Sequence, residues 1–179
     1  MQLREYIEKK ILLCEMSQIF DEIPKDILSS LIDDKIIRNT KVGSIIHDRE
    51  FSYFYPDKTS IVIFLTNETD VIGGAYFELY PGKIDNKLVY EEQIVTTFKE
   101  FYNKNNKLMQ KIYMFLKKLH NCSILSDEKH SIDSIRVWMK WKQLYDLKVY
   151  DTETEEFVEY KDSQFSRNKE SRRYRFLWV

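Results

Sequence analysis

Residues 60–66 read Ser-Ile-Val-Ile-Phe-Leu-Thr, five apolar side chains in a row between two hydroxyls. So short a run cannot bury itself as an independent helix and has no wet face. It predicts a strand covered on both sides. Asn67-Glu68-Thr69-Asp70 is a polar turn and Val71–Tyr80 a second strand, so the segment predicts a hairpin that needs a sheet around it. Gly73-Gly74 within the return strand predicts a bulge or a close backbone approach. Pro81-Gly82 predicts the next turn, and Lys87–Thr97 a third strand.

Elsewhere the period is helical. Leu3, Tyr6, Ile7, Ile11 and Cys14 share one face, so residues 1–36 predict a helical N-terminal segment, with Pro24 opening a short second helix over 25–32. Ser44–Ile46 and Phe51–Tyr55 are short extended segments, and Pro56-Asp57 is a turn. Leu108–His120 is amphipathic through Leu108, Ile112, Phe115, Leu116 and Leu119. Ser123–Leu125 reads as a strand, Ser126-Asp127 as helix caps. Ile132–Tyr145 reads as a helix with Ile132, Ile135, Trp138, Trp141 and Leu144 on one side. Leu147–Tyr150, Phe157–Tyr160 and Tyr174–Val179 are extended. The class is α+β: a meander followed by a strand–helix–strand–helix–strand unit, expected as one domain over 1–179.

Composition narrows the chemistry. The 28 Lys and Arg against 29 Asp and Glu exclude a generally basic nucleic-acid binder. The balance averages an acidic stretch at 151–159 with a basic one at 167–175, which reads as a solvated loop or a docking surface for an acidic partner or nucleic acid. The glycines are Gly43, Gly73, Gly74 and Gly82, from which neither a P-loop nor a dinucleotide fingerprint can be built. Two cysteines and no apolar run near ~20 residues predict a soluble cytoplasmic protein without a disulfide framework. The N-terminus is too charged for a signal or transit peptide. His47, His120 and His130 lack ligand spacing, so no metal is expected. His120-Asn121-Cys122 is weak as a nucleophile pair, since such pairs meet in space rather than in adjacent sequence.

The second half carries a resemblance. Ile124-Leu125-Ser126-Asp127, Ser131, Ile135-Arg136-Val137-Trp138 and Val149-Tyr150-Asp151-Thr152 resemble the closing part of the GNAT family of N-acetyltransferases, in particular GNAT-like proteins carried by phages. The likeness covers about residues 59–160. It implies a mixed, mostly antiparallel central sheet flanked by helices, and acetyl-CoA as co-substrate. It also implies a pyrophosphate loop ahead of the helix at 108–120, where Lys104, Asn105, Asn106, Lys107 and Leu108 stand. The family's loop glycines are replaced there by Asn106 and Leu108. The strand leading to the loop carries Glu91 and Glu92. The family often places its general base there, and strand alternation allows only one of the two to face a cleft. The family's acidic tyrosine falls near Trp138, which leaves Tyr145 as its substitute. Two functions follow: transfer of acetyl to an amine substrate, or a GNAT-like fold without turnover that binds a host protein.

Overall fold

The computed structural model describes residues 45–67, 70–97, 107–128, 130–165 and 172–179. The helices expected over 1–36, and Lys104, Asn105 and Asn106, lie outside these. The chain divides into two compact units, one taking Ile94–Ile112 together with the residues up to Glu78, the other Leu79–Gln93 and Tyr113–Val179.

In the first unit β1 (Ile46–Asp48), β2 (Phe51–Phe54), β3 (Ser60–Asn67) and the start of β4 (Asp70–Ile84) pair antiparallel in that order. Ile61 to Leu65 of β3 are at most 1% exposed, as expected for a strand with no polar face. Leu65 pairs with Gly73 but Thr66 with Val71. Ile72 is therefore the extra residue of a bulge beside the glycine pair. Thr66 turns instead to the Glu50 carbonyl through its N–H at 2.7 Å and its hydroxyl at 3.1 Å.

The second unit corrects one expected turn. Pro81-Gly82 lies within β4, with Gly82 at φ +101°, and the chain reverses instead at Asp85-Asn86, whose φ values are 55° and 60°. Two left-handed residues in a row match the twist of the flanking strands. Asx side chains tolerate that conformation. From there β5 (Lys87–Thr97) leads to α1 (Leu108–His120), which Asn121 closes at φ 49°. β6 (Ser123–Leu125) runs parallel to β5. α2 (Ile132–Lys142), β7 (Leu147–Asp151), β8 (Glu156–Val158), a 3-10 turn (Asp162–Phe165) and β9 (Tyr174–Trp178) complete it. The strand order is β4-β5-β6-β9-β7-β8, with β9 antiparallel to both neighbours. A parallel pair needs a crossover, and α1 supplies it.

Alternation separates the two faces of this unit. Val89, Leu125 and Leu177 join Ile84 and Tyr150 in one apolar cluster. Trp178 points the other way, where its ring lies 6.3 Å from Tyr113 of α1 and 5.8 Å from Trp141 of α2. Trp138 stacks on Phe176 at 5.8 Å and meets Trp141 at 5.4 Å. Both tryptophans are core, as their helical spacing predicts.

Two further boundaries differ from expectation. The cap of α2 is Ser131, whose Oγ accepts from the Ser134 N–H at 3.0 Å, rather than Ser126-Asp127. The helix also ends at Lys142, so Leu144 is 64% exposed and Tyr145 is not on the helix at all. The Leu144 and Tyr145 N–H groups both turn back to the Trp141 carbonyl at 2.8 Å, a last-turn tightening that releases the chain toward β7.

Candidate active site

β5 and β6 are in register only from Val89↔Ser123 to Glu91↔Leu125, after which β6 stops and β5 runs on. The point of departure is built from side chains. Ser126 would be next in β6, and its Oγ takes the Phe176 N–H at 3.0 Å, a bond its own carbonyl would accept in a continuing ladder. The freed carbonyl accepts from Arg175 through Nε at 2.6 Å and also through Nη2. Arg175 Nη2 reaches Glu91 Oε1 at 2.8 Å as well. A guanidinium that is 2% exposed thus holds the end of one strand to the carboxylate of the other. Its planar fork holds donors in fixed directions toward both acceptors.

His130 closes this cluster. Its Nε2 lies 3.1 Å from Ser126 Oγ, and its ring sits against Phe165 and Phe176 at 5.4 and 5.5 Å. Burial, and then the charge of Arg175, push its pKa down to about 4. It is therefore neutral at pH 7. Ser126 Oγ thus joins the Phe176 N–H and the imidazole, and the His130 tautomer sets which of hydroxyl and ring donates.

Glu92 is the first β5 residue past the last registered pair. It points to the opposite face from Glu91, where its Oε2 accepts a hydrogen bond from the Tyr113 hydroxyl. Burial pushes its pKa up to about 7, Asp127 adds to the rise, and the Tyr113 hydrogen bond and Arg175 pull against it. The Tyr113 phenol is itself pushed far up, first by burial and then by Glu92. The proton of this pair therefore comes and goes on the carboxyl, while the phenol stays a donor.

The other residues singled out in the sequence fall elsewhere. Tyr145 packs on Trp178 with ring centroids 4.4 Å apart. Lys107, in the first unit, is exposed with φ 45°, and its carbonyl accepts the Lys111 N–H at 2.9 Å, so it heads α1. Leu108 is 5% exposed, so its side chain is spent on packing and only its backbone is available to a ligand. The first turn of α1 holds no acid, and Lys111 pairs with Glu50 at 2.7 Å. His120 and Cys122 do not meet as a catalytic pair. The imidazole sits 5.1 Å from the Tyr90 ring, and the buried thiol, its pKa pushed up to about 11, donates to the Leu116 carbonyl at 3.6 Å. Among the described residues no group of three or more His, Cys, Asp or Glu could hold a metal, and no helix is long and apolar enough to cross a membrane.

Sequence reasoning missed Tyr113, Arg175 and Ser126. Tyr113 is fully buried between Ile112 and the exposed Met114, one position off the apolar stripe of α1. A polar-tipped aromatic beside an apolar stripe is the available signal, since a buried phenol needs a partner.

No family model and no curated protein matches the chain. Solved structures align with it at low similarity. A transcriptional regulator from Bacillus halodurans is 13% identical, with 49% of this chain covering 59% of that one at a TM-score of 0.38. An aminoglycoside acetyltransferase from an uncultured soil metagenomic sample is 12% identical, over 59% and 66%, at 0.40. An acetyltransferase of the GNAT family from Staphylococcus aureus is 14% identical, over 98% and 94%, at 0.40.

Proposed function

We propose that the chain is a GNAT-fold N-acyltransferase that moves acetyl from acetyl-CoA to an amine, with Glu92 as general base. The observation that carries this reading is the position of Glu92. It is the first residue beyond the paired part of a parallel strand–helix–strand unit, where burial pushes its carboxyl pKa up to about 7. A base works best when its pKa lies near the operating pH. Glu91, bound to Arg175 on the other face, is committed to holding the strands. This reading therefore takes Glu92 as the base and leaves Glu91 to the strands.

An amine arrives protonated and attacks only when neutral. Glu92 takes the proton, and this reading keeps Tyr145 as the candidate to return one to the departing thiolate. Acetyl-CoA supplies the acyl group as an activated thioester. Toward its phosphates the described part of the loop fits in charge: Lys107 presents an exposed cation at the start of α1, and the first helical turn adds no acid against an anion. Lys104, Asn105 and Asn106, to which the resemblance gives the same role, lie outside the described residues.

The second reading, a GNAT-like fold that engages a host protein without turnover, is favoured by Leu108, whose buried side chain stands where the family has a small residue. Thermal melting with acetyl-CoA separates the two. A ligand at 100 times its dissociation constant stabilises by ~2.7 kcal/mol, so the enzyme reading predicts a clear upward shift. An unchanged melt at millimolar acetyl-CoA refutes it.

A further inference from the structure

We infer that Tyr113 is a positioning residue for Glu92, fixing one carboxyl oxygen so that the other is left to take the amine proton. This inference rests on the reading of Glu92 as the base. The Tyr113 ring is fully buried and is set by three indoles, with Trp138 and Trp141 each at 5.6 Å and Trp178 at 6.3 Å. A ring held by three neighbours on α2 and β9 has little freedom to swing, so its hydroxyl marks a fixed point. Glu92 Oε2 accepts from that point, and the carboxylate can pivot only about it. Oε1 is the remaining acceptor.

The direction of proton transfer follows. An N–H bond of the ammonium breaks and an O–H bond forms at Glu92 Oε1, while the phenol keeps its own proton. The charged groups acting on Glu92 are Asp127, which follows β6, and Arg175 of β9, with Tyr113 of α1 as the hydrogen-bond donor. Of these, only Tyr113 can be altered without adding or removing a charge. Loss of its hydrogen bond favours the neutral acid, because the bond is made most strongly to the ionised form.

The test is Tyr113→Phe, which removes one oxygen and keeps the ring that fills the space between the indoles. Glutamate is labelled with 13C at the carboxyl carbon, and the Glu92 signal is identified by its loss in Glu92→Gln. The wild-type carboxyl is expected to titrate near 7, and Tyr113→Phe to move it upward by about one pH unit. The lower pH limb of CoA release from acetyl-CoA with a set of primary amines should move by the same amount. In the Glu92→Gln background, where that limb should be lost, the second substitution should leave the pH profile unchanged. A Glu92 signal that titrates identically in wild type and Tyr113→Phe overturns the role of Tyr113. A signal that moves while the limb of transfer stays in place supports the hold of Tyr113 on Glu92 and overturns Glu92 as the base.

Discussion

Replacing Glu92 with Gln should stabilise the protein at pH 8 and leave it nearly unchanged at pH 4. A free glutamate ionises near 4.5, whereas burial holds Glu92 protonated up to about 7. Between those values the folded chain binds a proton that the unfolded chain has released. Stability from this group is therefore full below 4.5 and is lost as pH rises through 7. Each pH unit of separation is worth ~1.36 kcal/mol, so the loss by pH 8 has an upper value of about 3 kcal/mol. Solvent reaches part of the Glu92 side chain, which brings the expected figure to about 2 kcal/mol. Glutamine keeps the shape and an oxygen for the Tyr113 hydroxyl but has nothing to ionise. Urea unfolding read by tryptophan fluorescence is the assay, since Trp138, Trp141 and Trp178 all lie in the unit that holds Glu92. With a slope of ~2 kcal/mol per molar, the variant's midpoint should exceed the wild type's by about 1 M at pH 8 and match it at pH 4. An equal difference between the two proteins at both pH values would refute the reasoning.

Arg175→Met should cost about 3 kcal/mol, because it leaves the Ser126 carbonyl and the Glu91 carboxylate without their donor in a site where Arg175 is 2% exposed. Adding Glu91→Met should recover part of that loss in the same unfolding assay. Asp151 accepts Arg173 Nε at 2.7 and 2.8 Å and the Glu153 N–H at 3.0 Å, and Arg173 above all holds its carboxyl down to about 2 against an ordinary 3.8. Its contribution is thus complete above 3.8 and disappears as pH falls through about 2. Asp151→Asn should lower the melting temperature by about 5 °C at pH 7, with the gap closing at pH 2 by circular dichroism.

How far the sequence could be read followed from the range of the interactions. β5, α1 and β6 have the predicted bounds because apolar spacing and polar interruptions are local signals. Pro81-Gly82 misled because Pro-Gly marks turns in general, whereas here Gly82 is absorbed inside β4 and the left-handed Asp85-Asn86 makes the reversal. Leu144 and Tyr145 kept the helical period, yet α2 ends with no glycine at Gln143, where capping bonds to Lys140 and Trp141 decide the matter. The candidate site was half legible. The two carboxylates stand out as a pair on one strand, but their different environments come from residues 84 and 21 positions away, Arg175 and Tyr113. No local pattern encodes which carboxylate meets a guanidinium and which meets a phenol. That depends on β9 lying between β6 and β7, and on the register that puts Arg175 two residues before Leu177, the partner of Leu125.

The most direct measurement of the central claim is the rate of CoA release from acetyl-CoA with primary amines, followed from pH 5 to pH 9 in wild type and Glu92→Gln. The account predicts a wild-type kcat/KM that rises about tenfold per pH unit up to an inflection near 7, and a loss of about 10²- to 10⁴-fold on the plateau in the variant. Wild-type rates in Glu92→Gln, with the same inflection, would contradict it.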